Sequence, residues 1–406
     1  EGVKVDTPNL DQLASEGALL NSFYVSSPVC SPSRAAFTTS LMPHVTGVPT
    51  NDVPMYDNMV TFAEILGRNG YATGYLGKWH LDGDGKPEWE PKRKFGWQDN
   101  RYMFNRGHYK KLKDTPEGPR VDAKADKNGI PSYDLNNADE KSYTTDFLMD
   151  RTLEFIRKHK DESFCVMLSL PDPHGPNRVR DPYWDKYRQM PFEAPATMFK
   201  TPDQVPAWSS QTGSNYIEDE KLDPDQMAAI FGMIECIDDN MGRLLGELKQ
   251  LNLEDNTIVV FTSDHGDLMG EHRRHNKGVP FEASAKVAFL MKSPGQIPAG
   301  KVINSVMTSV DFGPTVLSLM GIGDKFAESH GRDFSQNFTS KKPIIDGERI
   351  AYFRGTTNHP DWVAAVSDSY KLVISDKCSP WLYDLKKDPN ELINFYEHPD
   401  YREIRV

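Results

Sequence analysis

Phe164-Cys165-Val166-Met167-Leu168-Ser169-Leu170, followed by Pro171-Asp172-Pro173-His174-Gly175-Pro176, sets the fold class. A run apolar nearly throughout predicts a strand covered on both faces, as in a parallel or mixed sheet between helices. Similar runs at 71–77, 257–263 and 287–291 predict three more strands. Between them lie helix signals. Asp223-Pro224 opens the longest, with Met227, Ile230, Phe231, Ile234, Ile237, Met241, Leu244, Leu245, Leu248 and Leu251 recurring at helical period, a core-facing stripe. Thr7-Pro8 opens another helix, stopped by Gly17, and Thr61 with Glu64 forms a capping-box pattern closed by Gly70. Strands separated by long amphipathic helices predict an α/β domain with a large mixed or mainly parallel sheet. Such sheets keep their ligands beyond the carboxyl ends of the strands.

After the helix near 311–320 the texture changes. Short strand-like pieces at 351–353, 362–366, 371–374 and 381–383 predict a small antiparallel sheet, so residues 1–340 read as the main domain and 341–406 as a C-terminal α+β subdomain. The polar, turn-rich stretch 114–139 reads as a long surface loop.

The chain has 406 residues, 38% hydrophobic and 26% charged, with a formal charge of −12 that repels nucleic acid and anionic lipid. No apolar run approaches the roughly 18–20 residues of a membrane span. Cys30, Cys165, Cys236 and Cys378 are too scattered for a disulfide framework or a CxxC zinc site.

Chemistry-bearing residues gather at four places. Cys30-Ser31-Pro32-Ser33-Arg34 precedes a helical segment. With Ser31 as cap and Pro32 in the first position, Cys30 is expected just ahead of a helix N-terminus, where amides and macrodipole favour an anion. Arg34 adds a fork of donors for an oxyanion. The cysteine reads either as an activated thiolate or as a buried, inert side chain. Gly77-Lys78-Trp79-His80, the segment ending in His174, and Ser263-Asp264-His265-Gly266 each close an apolar strand, and Lys277 follows the last in a polar loop. A lone histidine at a strand end is usually structural; three such segments in one chain favour a site.

Together these segments resemble the type I, formylglycine-dependent sulfatases of the alkaline-phosphatase-like superfamily. Cys30 to Arg34 matches the C-x-P-S-R signature, 77–80 resembles the second signature, 263–266 the metal-binding segment, and Thr7-Pro8-Asn9-Leu10-Asp11 the lead-in. The resemblance implies that a maturation enzyme oxidises Cys30 to formylglycine. One hydroxyl of the hydrated aldehyde would attack sulfur and the other expel sulfate. It further implies that Arg34 steadies the hydrate, Lys78 and Lys277 bind sulfate oxygens, His80 is the base of the elimination and His174 the acid towards the departing alcohol. Residue 30, Asp264 and His265 would hold a divalent metal, Ca²⁺ by preference with Mg²⁺ as the alternative. Family members carry two further aspartate ligands after a strand preceding the T-P-N-L segment, expected here upstream of residue 1. Where relatives often read T-G-R, this chain reads Thr39-Ser40-Leu41.

For the substrate, residues 86–113 interleave cations with aromatics, and Trp89, Arg93, Trp97 and Arg101 are candidates to meet a sulfated sugar. Arg178, Arg354 and His359 are candidates at the rim. A sulfated carbohydrate is the expected substrate, ahead of an aryl sulfate or choline sulfate. The rivals are a phosphonate monoester or phosphodiester hydrolase of the same superfamily and a non-catalytic binder of sulfated glycans. An exported location, periplasmic, extracellular or lysosome-like, is expected, with a cytoplasmic one left open.

Overall fold

A computed structural model describes residues 4–129, 131–209, 216–323, 326, 328–342, 349–356 and 362–404. The chain divides into two compact units, each assembled from separated stretches.

The first unit contains residues 57–193 and 222–257 together with the first thirteen. Its centre is the strand Ala72–Lys78, hydrogen-bonded in parallel to Met103–Phe104 on one side and to Phe164–Ser169 on the other. The register pairs Ala72 with Phe164 and Gly77 with Ser169, so both strands end at one level. Gly77 is needed there. Its φ is 98°, and a Cβ would stand 2.0 Å from the Ser169 carbonyl oxygen. The helices come from the signals read above. In Phe62–Arg68, Thr61 Oγ1 accepts from the Glu64 amide at 3.2 Å; in Pro224–Gln250, Asp223 accepts from the amides of Asp225 and Gln226. Met227, Ile230, Ile237, Met241 and Leu248 of the long helix are buried as its period requires. The stretch expected as a long surface loop starts instead as a hairpin, Leu112–Thr115 against Gly118–Val121. Its strands expose mostly polar side chains, which hydropathy reads as loop.

The second unit holds residues 14–56, 194–221 and 258–406. In its mixed sheet Ala18–Leu20 pairs in parallel with Lys301–Ile303 and antiparallel with Phe289–Lys292, which in turn pairs with Val259–Thr262. The C-terminal strands Ala351–Arg354, Trp362–Val366, Tyr370–Ser375 and Cys378–Asp384 form an antiparallel sheet in sequence order. Phe353, Ala364, Val373 and Tyr383 on its inner face pack with Tyr24, Leu268 and Phe281 of the same unit. Burying such aromatic and branched side chains stabilises by roughly 1.5–3 kcal/mol each.

Candidate functional site

Each unit carries one constellation. In the second, the helix Cys30–Thr39 begins at Cys30 itself, and its cap residue is the extended Val29. Ser31 therefore does not cap, and Cys30 is not ahead of the helix as expected. Asn51 Oδ1 instead accepts the Ser31 amide at 2.9 Å, so capping is supplied from twenty residues away. Cys30 is buried, with Sγ 3.2 Å from His265 Nε2. Arg34, one turn on, gives its Nε–H to Asp264 Oδ2 at 2.8 Å, and Asp264 Oδ1 lies 3.6 Å from His265 Nε2. The His265 Nδ1–H donates to the Gly266 carbonyl at 2.8 Å, which turns the Nε2 lone pair towards Cys30 and Asp264. Gly266 permits the close turn, since a Cβ would stand 2.0 Å from the Ala283 carbonyl oxygen.

One donor atom each from Cys30, Asp264 and His265 lies within 4.8 Å of the other two. Donors on one Ca²⁺ at about 2.3–2.6 Å can be no more than about 5 Å apart. The three residues therefore fit a single divalent ion, with Arg34 orienting the carboxylate. Lys277 stands in the loop tied to this segment: Asp267 accepts the Asn276 amide at 3.1 Å, and the Gly278 amide reaches Ser284 Oγ at 3.1 Å. At Cys236, by contrast, burial, then the neighbouring Asp146, hold the thiol's pKa well above the ordinary value, which disfavours the thiolate.

Ser40 closes the helix that starts at Cys30, in the left-handed conformation at φ 55° and ψ 27°. An L-residue there costs roughly 1–2 kcal/mol, against about 0.5–1 kcal/mol for the extra unfolded-state freedom of glycine. Among the described residues its buried Oγ has no hydrogen-bond partner. Ser40→Gly should therefore raise the unfolding free energy by about 0.5–1 kcal/mol, measured in chemical denaturation; an unchanged or lower midpoint would refute the strain.

In the first unit, Lys78 ends the central strand and is 2% exposed. Its carbonyl is held by Tyr75 OH at 2.6 Å and Ser169 Oγ at 2.7 Å. Its Nζ lies 2.8 Å from His108 Nε2, and the His108 ring stacks on His174 with centroids 3.6 Å apart. His80, two residues beyond Lys78, is buried at φ 61°, its amide donating to the Asn105 carbonyl at 2.7 Å. The turn bearing His174 is anchored from below. Lys110 Nζ bonds Asp172 at 2.5 Å and the His174 carbonyl at 3.1 Å, and Tyr143 OH and Thr145 Oγ1 also donate to that carboxylate. A buried pair with several further hydrogen bonds holds geometry even where its net stabilisation is small.

His108 and Asn51 belong to no motif. His108 sits inside the basic, aromatic segment, where no spacing or pattern sets it apart from its neighbours.

That segment is mostly structural. Trp97 is 0% exposed, edge-on to Phe62 and Tyr75, which leaves no ring face for a sugar. Trp89 packs edge-on to Phe104. Arg93 is paired with Asp57 and Asp82, Arg101 with Asp114, and Lys111 and Lys113 with Asp122. Arg178 is different. It is exposed and lines a cleft of about 640 Å³ together with Leu135, Asn177, Val179, Trp184, Asp223, Asp225 and Gln226. Arg354, in the second unit, is half-buried with its Nε–H on the Gly355 carbonyl at 3.2 Å. His359 lies outside the described residues.

The sulfatase family model matches residues 1–322, and a second, for the C-terminal part of N-sulphoglucosamine sulphohydrolase, matches 270–406. An uncharacterised sulfatase of Escherichia coli, YidJ, is 28% identical over all of this chain and 81% of its own length. An ulvan-active sulfatase of Formosa agariphila is 28% identical over 99% of this chain and 74% of its own. A solved protein in complex with its substrate D-glucosamine-2-N,6-O-disulfate superposes with a TM-score of 0.79 at 21% identity, over 98% of this chain and 90% of that one. Among the described residues no helix is long and apolar enough to cross a membrane.

Proposed function

Since this chain belongs to the sulfatase family, has its alkaline-phosphatase-like α/β fold and is an enzyme that hydrolyses sulfate esters, we propose that its substrate is a sulfated carbohydrate and that Cys30, oxidised to formylglycine, is the nucleophile. The observation that carries the second half is the run of contacts from Cys30 to His265, from His265 to Asp264 and from Asp264 to Arg34.

Asp264, His265 and residue 30 would hold the divalent cation, Ca²⁺ by preference because the modified residue presents oxygen, with Mg²⁺ the alternative. Bound there, the cation would supply Lewis acidity to the ester and to the nucleophile's hydroxyl. The chain's own residues do the rest. Arg34 holds the Asp264 carboxylate in one orientation and brings fixed positive charge beside residue 30. His265 keeps its proton on Nδ1, so Nε2 remains a donor of electrons. On the strength of the sequence signatures, Lys78 and Lys277 bind sulfate oxygens, His80 takes the proton during sulfate expulsion, and His174 gives one to the departing alcohol.

Support for a carbohydrate comes from the cleft. Its volume is within the roughly 300–1,000 Å³ of ordinary ligand sites. Its lining brings together an aromatic side chain, Trp184, a cation, Arg178, and the polar groups of Asp223, Asp225 and the hydrogen-bonded pair Asn177 and Gln226, residue types that suit a sulfated sugar. The substrates in the names of the ulvan-active relative and the glucosamine disulfate complex agree with it. Membership of the family also supports export and a maturation enzyme as transient partner.

Sulfate release from a panel of defined sulfated saccharides, beside 4-nitrophenyl sulfate and an aryl phosphonate ester, tests the reading. Turnover should be fastest on a sulfated saccharide, and Cys30 peptides from the native host should be lighter by about 18 Da, the change from thiol to aldehyde. Faster phosphonate turnover would overturn the substrate class; an unmodified Cys30 in active protein would overturn the nucleophile.

A further inference from the structure

Two contacts in the first unit meet at one side chain. His108 Nε2 lies 2.8 Å from Lys78 Nζ, and the His108 ring lies flat on His174, centroids 3.6 Å apart and planes 5° from parallel. An ammonium has hydrogens to give and no lone pair to offer, so charged Lys78 donates and His108 Nε2 accepts. His108 then carries its single proton on Nδ1 and is neutral. Neutrality also suits the stack. A proton on His174 faces an uncharged ring, whereas two charged rings at this distance would repel. His174 in turn gives its Nδ1–H to the Gly175 carbonyl at 2.8 Å, so Nε2 is the nitrogen that exchanges a proton.

We propose that His108 is a positioning residue for sulfate ester hydrolysis. Through Nε2 it fixes where the Lys78 ammonium meets the sulfate, and through its ring face it braces His174 as that residue protonates the departing oxygen. This rests on the roles proposed above for Lys78 and His174. The two contacts call on different properties of one imidazole, a lone pair in its plane and a flat face above it. Neither a carboxamide nor a phenyl ring supplies both.

That difference gives the test. His108→Gln offers Lys78 an acceptor but no ring, and His108→Phe keeps a flat ring but no acceptor. Both are assayed on 4-nitrophenyl sulfate, whose leaving group needs no proton, and on the best sulfated saccharide, whose alcohol does. His108→Gln should lose about 10–100-fold in kcat/KM on the saccharide and distinctly less on the phenyl ester. His108→Phe should lose on both to a similar degree, because the sulfate itself is then held less well. Circular dichroism confirms folding, and Lys78→Ala and His174→Ala are run alongside. Wild-type kinetics in both folded His108 variants, beside impaired Lys78→Ala and His174→Ala, would overturn the positioning role alone. Equal losses on both esters by His108→Gln would overturn the bracing of His174. Full activity in Lys78→Ala and His174→Ala would overturn the roles on which the proposal stands.

Discussion

Cys30→Ala yields a folded protein that releases no sulfate from any ester. Alanine keeps the helix-forming backbone at the first position of the helix Cys30–Thr39, and Arg34 and Asp264 retain their 2.8 Å contact because neither depends on the sulfur. The stability change should stay within about 1 kcal/mol, as for a small buried side chain exchanged for a smaller one. Turnover, by contrast, loses its proposed nucleophile and, once residue 30 is alanine, one of the three groups proposed to hold the cation. Chemical denaturation, helical content and sulfate release measured on one preparation separate the two effects. Residual turnover near the wild-type rate would remove Cys30 as nucleophile; loss of helical content would make the inactivity uninformative, and Cys30→Ser, closer in size, would then decide.

Lys78→Ala should cost about 10²–10³-fold in kcat, roughly 3–4 kcal/mol, the scale of a lost donor to a developing oxyanion. The backbone around it should hold, because Tyr75 and Ser169 bind the Lys78 carbonyl rather than its side chain. Truncating a side chain that is 2% exposed still leaves a void, so Lys78→Met, which fills the volume without the charge, is the companion variant. If sulfate binding is the role, both variants lose activity alike, and inorganic sulfate becomes a weaker competitive inhibitor of each. Near-normal kcat/KM in Lys78→Met would take the ammonium out of the reaction. Lys277→Ala should behave similarly, with activity normalised to the folded fraction.

Much of this molecule could be read before folding. The strand 164–169 follows from an unbroken apolar run and the helix from Pro224 from a period of 3.6 residues, which are properties of neighbours along the chain. The Thr61 and Asp223 caps follow in the same way, since cap and amide are two or three residues apart. Placement of Lys78, His174 and Asp264 at or just beyond strand ends was also legible, because an apolar run that stops at ionisable groups marks where a sheet meets solvent. The hairpin at 112–121 was not, because a strand pair with mostly polar outer faces has no hydropathic signature.

Linear order thus determined the elements, their ends and the kinds of chemistry those ends carry. Folding decided the partners. Arg34 grips Asp264 across 230 positions, His108 reaches Lys78 across 30, and Asn51 caps a helix in place of the adjacent Ser31. Folding also turned Trp97 into core and Arg93 into an ion-pair residue, where charge and aromaticity alone had suggested a sugar platform. The reason is that a hydrogen bond needs its two atoms about 3 Å apart. Between distant positions that proximity is fixed by strand register and helix packing, which depend on every side chain between them.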